Sequence, residues 1–254
     1  MAALFGFVPA GLAAAPVAAH HPQGTLHGYA VIRSQDGKEL AVGDLMSQVR
    51  GARVTSHTIF HFKDGSVDDE TTVFTQRGDF RLISDHHLQK GPFFAHPMEV
   101  WVDALKGQVM ARSWDKDGKE LDRKDHLNLP PDLCSPEMLT SIAENLPTDT
   151  AEVSMLVATP RPMVVKLAFS ARGKDSFRLA GFERKAEHYE IKFELQGLAG
   201  VVAPLIGKQP PNVEIWIEAG AVPAFVKEEG PLAEGGPIVS IQQIGPVGPS
   251  EGGR

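Results

Sequence analysis

The sequence predicts a mainly β protein, an antiparallel meander that forms a curved sheet or an incomplete barrel. Two observations support this fold class: short runs in which apolar and polar residues alternate, and glycine-centred turn signals between the runs. Tight hairpin turns need a positive φ, which glycine adopts freely and Asp adopts fairly well. Alternating runs separated by turns about every 8–12 residues are typical of barrels and sandwiches. We expect such turns at residues 35–38, 63–66, 76–79, 105–108, 115–118 and 172–175.

The clearest predicted strand covers residues 52–62. Its period of two places one set of side chains on one face: Val54, Ser56, Thr58, Phe60 and Phe62. The other face then carries Thr55, His57, Ile59 and His61. The same alternation predicts further strands at 26–32, 40–49, 67–76, 80–88, 99–104, 109–114, 121–129, 153–158, 163–171, 177–184, 188–195, 213–217, 224–226 and 238–244.

One helix is predicted near residues 135–146. Ser135 can cap it, Pro136 fits the first turn, and Glu137 suits the positive end of the helix dipole. Its apolar stripe at helical spacing consists of Met138, Leu139, Ile142 and Leu146. A glycine-rich apolar segment near 198–206 is predicted to be a short helix or a hydrophobic loop.

The N-terminus predicts a location outside the cytoplasm. Residues 1–19 carry no charged side chain and are rich in small residues, as expected of a signal peptide or, alternatively, a disordered leader. We expect a single β-barrel-like domain at 24–244 and a disordered tail at 245–254. A cleaved leader would place the protein in the periplasm or outside the cell.

Composition argues against several classes of partner. The net charge is −7 with no block of like charges, so no nucleic acid is expected, because phosphate binding needs clustered Lys and Arg. After the leader no stretch is long and apolar enough to predict an integral membrane segment. No dinucleotide or phosphate-loop fingerprint is present, and we expect no cofactor.

Four histidines suggest a metal-assisted hydrolase as an alternative function: His57, His61, His86 and His87. Imidazoles on adjacent strands can reach one ion. Strand residues four apart, however, lie about 13 Å from each other, so His57 and His61 cannot both ligate it without a bend. The alternative is that the four are ordinary strand histidines.

Two acidic runs invite a calcium interpretation. Residues 64–70 contain four acids and residues 115–120 resemble half of a calcium loop. Calcium needs six to eight oxygens at fixed spacing, which neither run provides. We expect the first run to face solvent and the second to be a hairpin turn.

The leading hypothesis is a non-catalytic protein that binds an apolar, lipid-like ligand in a β cavity. Two apolar segments could cover such a cavity, and the candidate ligand-binding residues are Met138, Leu139, Ile142, Leu198, Val201, Val202, Leu205 and Ile206. These residues could instead simply close the core. A third hypothesis is an envelope assembly or scaffold protein that recruits a protein partner through a sheet edge.

Four segments carry a family resemblance. They are KDGSVDDETT at 63–72, FRLISDHH at 80–87, HLNLPPDL at 126–133 and VAPLIGKQPP at 202–211. They resemble a family of uncharacterised secreted bacterial proteins over residues 24–244, a family with no activity to transfer. The wider pattern is similar to half-open periplasmic barrels such as lipoprotein carriers and lipocalin-like proteins. That likeness implies an envelope location and a concave apolar face.

Overall fold

A computed structural model describes residues 16–114, 117–146, 150–179, 182–194 and 210–244. These residues form a mainly β structure around one fifteen-stranded sheet. The strands are β1 (Leu26–Ser34), β2 (Glu39–Arg50), β3 (Arg53–Phe62), β4 (Val67–Thr75), β5 (Arg81–Lys90), β6 (Met98–Asp103), β7 (Gln108–Trp114), β8 (Glu120–His126), β9 (Leu133–Cys134), β10 (Thr150–Val157), β11 (Met163–Leu179), β12 (Phe182–Glu194), β13 (Val213–Glu218), β14 (Ala224–Pro231) and β15 (Ile238–Ile244).

The sheet consists of two meanders joined side by side. Strands β1 to β8 follow one another outward from β1, and strands β15 to β9 follow one another outward on the other side. The joint is the antiparallel pair of β1 and β15, in which Val31 lies opposite Gln242. All neighbours are antiparallel except β9 and β10. The sheet does not close, because β8 and β9 are its two edges, and the predicted fold class is confirmed.

The sheet curls so that both meanders share a core. Phe74 and Val100 from the first meander belong to the same buried cluster as Leu167, Ile191 and Ile215 from the second. Each such side chain contributes about 1.5–3 kcal/mol on burial. A second cluster lies near the joint and is built from Ala30, Ile32, Ala41, Phe60, Phe62, Phe94 and Val239. The concave face between these clusters positions the site described below.

The predicted helix is present but shorter than 135–146. A 3-10 turn at Pro136–Met138 leads into helix α1 at Leu139–Ala143, and α1 packs against β13. Ser135 precedes the turn without capping it through its side chain. Its Oγ lies 3.0 Å from Thr72 Oγ1 instead, so the hydroxyl joins a buried polar network.

Glycines with positive φ confirm the predicted turns at 35–38, 63–66, 76–79 and 105–108. The turn at 115–118 lies partly outside the described residues, and the turn at 172–175 is wrong. Strand β11 runs straight through this region to Leu179, which pairs with Phe182. Gly173 has φ of 118° and forms a bulge, at which the register shifts between Ala171 and Gly173. The separate strand predicted at 177–184 is therefore also wrong, because residues 177–179 of β11 pair with residues 182–184 of β12.

The chain before β1 packs onto the sheet. The Val17 side chain is buried in the larger core, and the Ala19 N–H donates to the Gly78 carbonyl at 2.7 Å. The Gln23 N–H donates to Gln76 Oε1 at 2.7 Å. Residues 1–15 of the predicted leader and the tail at 245–254 lie outside the described residues, so both stay predictions. No helix in the described part of the chain has the length and apolar character needed to cross a bilayer.

Candidate functional site

A cavity of about 1050 Å³ lies on the concave face of the sheet. Its apolar wall comes from both meanders, from α1 and from loops at the rim. These side chains are Leu26, Leu45, Met46, Phe60, Leu139, Met155, Val157, Met163, Val165, Phe193, Val213, Phe225, Leu232 and Ile241. The volume is at the upper end of the range of small-molecule sites, about 300–1,000 Å³.

One wall of the cavity is polar and buried. It is formed by the inward-facing positions of β3, β4 and β5, where Thr58 lies opposite Glu70 and Glu70 lies opposite His87. Asp68 is the next inward position on β4. Glu70, Asp68 and His87 are each less than 10% exposed. Ionisable groups at such positions are costly unless they are paired.

His87 is the cation of this wall. Its Nε2 lies 2.7 Å from Asp68 Oδ1, and its Nδ1 lies 3.9 Å from Glu70 Oε2. Burial alone would lower the pKa of His87, but the carboxylates of Glu70 and Asp68 outweigh burial and raise it to about 10. The ring is therefore protonated at neutral pH and partly neutralises the acids around it.

Glu137 extends the acidic wall from the 3-10 turn. Its backbone N–H donates to Glu70 Oε1 at 3.2 Å, and Ser56 Oγ donates to Glu137 Oε1 at 2.5 Å. Burial raises the pKa of Glu137 to about 7, and the nearby Glu70 adds to the rise. Glu137 is thus in the first turn, as expected, and its side chain also contributes to the cavity wall.

Glu228 on β14 faces the same acids from the opposite meander. Burial raises its pKa to about 7, and Glu70 again contributes. At the rim, burial also raises the pKa of Glu144 to about 7. Near neutral pH each of these carboxyls is therefore partly protonated. A charge brought close to them would change the protonated fraction.

A second polar layer supports the wall from behind. Thr72 Oγ1 donates to Asp85 Oδ1 at 2.5 Å, and Ser135 Oγ lies 3.0 Å from the same hydroxyl. Burial raises the pKa of Asp85 well above its usual value, and Glu70 adds to the rise. The layer ties β4, β5 and the 3-10 turn together, so that Glu70 and Glu137 are held in place.

The cavity wall contains buried polar atoms that lack a hydrogen-bond partner. Two of them are Ser47 Oγ on β2 and His87 Nδ1 on β5, and both side chains are more than nine-tenths buried. An unsatisfied buried donor or acceptor costs about 1–3 kcal/mol. Such groups in a cavity wall are suited to contact with a polar part of a ligand.

The structure divides the predicted ligand-binding residues. Leu139 lines the cavity, whereas Met138 and Ile142 pack into the larger core. Leu198, Val201, Val202, Leu205 and Ile206 lie outside the described residues. The residues on either side of that segment, Phe193 and Pro210, do line the cavity.

The four histidines do not form one site. His57 and His86 face the convex side of the sheet, where His57 pairs with Asp69 and His86 with Glu99, each at 2.9 Å. His61 is an exposed residue near the end of β3, while His87 faces the cavity. In the described part of the chain no three His, Cys, Asp or Glu side chains are arranged to hold a metal ion.

The expectation that the acids of 64–70 face solvent is wrong for Asp68 and Glu70. Both are inward-facing residues of β4 and contribute to the cavity wall. The signal for them was the alternation itself, since they share a face with the apolar Phe74. Glu137, Glu228 and His87 also line the cavity without having been predicted to bind ligand.

The sheet edges bear on the scaffold hypothesis. Strand β8 is almost wholly exposed and carries Asp122, Arg123, Lys124 and Asp125. Charged edge strands discourage further strand pairing. Strand β9 is only two residues long and buried. Neither edge favours recruitment of a partner strand.

No family model and no curated protein matches this sequence. Among solved structures, the chain is similar to the crystal structure of a beta-barrel-like protein of the domain of unknown function DUF1849 from Brucella abortus. The TM-score is 0.41 and the sequence identity 10%, and the match covers 87% of this chain and 97% of the other.

Proposed function

We propose that this protein binds a lipid-like small molecule in its concave cavity and carries out no reaction on it. The observation that carries the proposal is the cavity of about 1050 Å³, lined mainly by apolar side chains from both meanders. Protein cores pack to a density of about 0.74 and leave few voids larger than a water molecule. A space of this size is therefore suited to a guest and is not ordinary core packing.

The apolar wall supports a ligand with a hydrocarbon chain. Leu45, Met155 and Phe193 converge on the cavity from β2, β10 and β12. Transfer of an apolar chain from water to this wall would contribute about 25 cal/mol for each Å² that is buried. We include Leu198, Val201, Val202, Leu205 and Ile206 in the proposal as further contacts, since their flanking residues line the same cavity.

The polar wall supports binding without catalysis. In the described part of the wall, no serine or threonine hydroxyl hydrogen-bonds to His87, whose Nε2 is engaged by Asp68. A nucleophilic mechanism needs a hydroxyl or thiol activated by an adjacent base. His87 is moreover held protonated by its acidic neighbours, a state in which it cannot accept a proton.

A pair of substitutions on β2 tests the binding site. Leu45 faces the cavity and Val42 faces the convex side with 48% of its surface exposed. Leu45→Trp should fill the cavity and weaken binding of the neutral apolar probe N-phenyl-1-naphthylamine about tenfold, which is about 1.4 kcal/mol. Val42→Trp should leave probe binding unchanged. Fluorescence titration of both variants and the unchanged protein measures this.

Protein expressed from the full sequence tests two further points, the compartment in which the protein is found and the small molecule that it carries there. The uncharged residues 1–19 support an envelope location, so the full chain should be recovered in the periplasmic or culture fraction. Native mass spectrometry of that material should show a bound small molecule. Protein that carries no adduct and binds no probe would refute the proposed function, and so would probe binding that changes equally in the two β2 variants.

A further inference from the structure

We propose that the polar wall binds a cationic nitrogen, so that the ligand is an amphiphile with an ammonium group at one end of an apolar chain. The inference rests on the proposed function and specifies the ligand class for the same cavity. It assigns the head group to Glu70, Glu137 and Glu228 and the chain to the apolar wall.

The charges around the cavity are one-sided. Among the described lining residues there are six carboxyl groups and two histidines, with no Lys or Arg: Asp68, Glu70, Glu137, Glu144, Glu228, Glu234, His21 and His87. Buried carboxylates without counter-charges are costly. A ligand cation would supply the missing charge, whereas the head group of a fatty acid or a phosphate would meet repulsion.

Three of these carboxyls come from different elements and act on one another. Glu70 is on β4, Glu137 is in the 3-10 turn, and Glu228 is on β14. All three line the one cavity, and the Glu137 N–H donates to Glu70 Oε1 at 3.2 Å. Burial raises the pKa values of Glu137 and Glu228, and the charge of Glu70 adds to both rises. An ammonium has three N–H donors that point in different directions, which suits acceptors from three sides.

The unpartnered atoms point to a polar head group by an independent route. Ser47 Oγ and His87 Nδ1 are buried in the cavity wall without hydrogen-bond partners. Ser47 can accept an N–H from the head group. His87 Nδ1 carries a proton in the charged ring and can donate to an oxygen on the ligand, such as a hydroxyl next to the amine. A purely apolar guest would leave both atoms unsatisfied.

Cation binding should be linked to proton release. Glu137 and Glu228 have pKa values of about 7, and a neighbouring positive charge lowers the pKa of a carboxyl. The other titratable groups around the cavity are Asp68, Glu70, Glu144, Glu234, His21 and His87 in its lining and Asp85 behind Glu70. Near pH 7 the head group should therefore displace protons from the acidic wall.

Three probes with one tail and different head groups test the inference: decylammonium, decan-1-ol and decanoate. Isothermal titration at pH 7 should show decylammonium binding at least about tenfold more tightly than decanoate, with decan-1-ol between them. Titration in two buffers of different ionisation enthalpy should show proton release on binding of decylammonium and none on binding of decan-1-ol.

Substitutions on β14 and in the 3-10 turn provide the matched variants. Glu137→Gln combined with Glu228→Gln should weaken decylammonium binding about tenfold, abolish the proton release and leave decan-1-ol binding unchanged. Glu229→Gln is the control, since Glu229 is on the same strand as Glu228 and pairs with Lys227. Thermal unfolding verifies that each variant folds, and the single variant Glu228→Gln replaces the double variant if that one does not.

The outcomes separate the two proposals. Equal affinity for all three probes, or tighter binding of decanoate, overturns the cationic head group and leaves the binding cavity intact. Loss of decylammonium and decan-1-ol binding together in the double variant also overturns it. If no probe binds the unchanged protein, the proposed function fails and the inference fails with it.

Discussion

At the residue scale, His87 holds the acidic wall together. It is buried between Asp68 and Glu70, and its protonated ring offsets part of their charge. The ion pair contributes little more to the free energy of unfolding than apolar residues of the same volume would, because both partners lost their hydration on burial. Removal of one partner alone is costly, because the other charge is left buried without compensation.

His87→Gln should therefore destabilise the protein by about 3–5 kcal/mol, the cost of breaking a buried ion pair. His86→Gln is the control at the adjacent position. The His86 side chain is 42% exposed on the opposite face, pairs with Glu99 and stacks on Trp101, so its loss should cost about 1 kcal/mol or less. Urea unfolding of both variants measures the difference. Equal costs for the two substitutions would contradict this account of the wall.

The raised pKa of Glu137 predicts a pH dependence of stability. Between pH 4.5 and about 7 the folded protein keeps this carboxyl protonated while the unfolded chain ionises it. The folded state then binds more protons, so the free energy of unfolding falls as pH rises, by at most about 3 kcal/mol for this group. The raised pKa of His87 acts in the same direction at higher pH. Its stabilisation is complete below pH 6.5 and is lost as pH rises through about 10.

The melting temperature should accordingly decrease from pH 5 to pH 9. Glu137→Gln removes one titrating group and should flatten the part of the curve between pH 5 and pH 7, leaving the fall above pH 7 intact. Scanning calorimetry of the unliganded protein at several pH values measures both curves. A variant curve parallel to the original between pH 5 and pH 7 would show that Glu137 does not titrate in this window.

The alternation predicted which residues share a face but not which face is inside. On β3 the buried set contains Val54, Phe60 and Phe62, which make it the more apolar of the two faces. On β4 both faces mix polar and apolar residues, since Asp68 and Glu70 accompany Phe74 while Asp69 accompanies Val73. Polarity alone then predicts that Asp68 and Glu70 are exposed to solvent. Their burial depends on partners from distant elements, which a local pattern does not contain.

At the element scale, turns position the aromatic side chains of the second cluster, the one near the joint of β1 and β15. Gly91 has φ of 104°, and a Cβ built on it would lie 2.5 Å from Ser66 Cα. Ser66 Oγ accepts the Phe93 N–H at 2.8 Å. This close approach lets Phe93 and Phe94 pack on Phe62, with ring centroids 4.4 and 5.5 Å from its own.

Gly91→Ala should therefore cost more than backbone strain alone. Gly65→Ala is the control, because Gly65 also has a positive φ, of 87°, but nothing lies within 4 Å of an added Cβ. We expect about 1–2 kcal/mol for Gly65→Ala from strain, and about 1–3 kcal/mol more for Gly91→Ala from the backbone clash. Denaturant midpoints of the two variants test this. Similar midpoints would mean that the loop yields to the added methyl group.

A glycine in an alternating run identifies a break in the strand pattern. It does not show whether the break is a hairpin turn or a β-bulge. Gly65 and Gly173 both have a positive φ and both follow polar residues, yet the first forms a hairpin and the second a bulge in a long strand. The pairing of β11 with β12 continues instead to Leu179 and Phe182. Cross-strand pairing of the whole hairpin decides between the two outcomes, and a sequence window of four residues does not include it.

At the scale of the whole molecule, the cavity is a product of sheet curvature. Strongly twisted sheets of more than about ten strands curl or split, and this fifteen-stranded sheet curls until its two meanders share a core. The successive hairpins, and hence the meander, could be predicted from local turns. The side-by-side joint of β1 and β15 could not, because no turn connects them.

That joint also has a consequence for how the molecule is made. Among the described strands β15 is the last in chain order and its neighbour β1 is the first, so their contact spans most of the described chain. Pairs so distant in sequence form slowly because a large loop must be closed. Each meander can assemble from neighbouring hairpins, but the edge of β1 that faces β15 stays open as a template until β15 has been synthesised. A protein that reaches its final compartment before folding would avoid that exposure, and one that folds on the ribosome would need its first strand shielded.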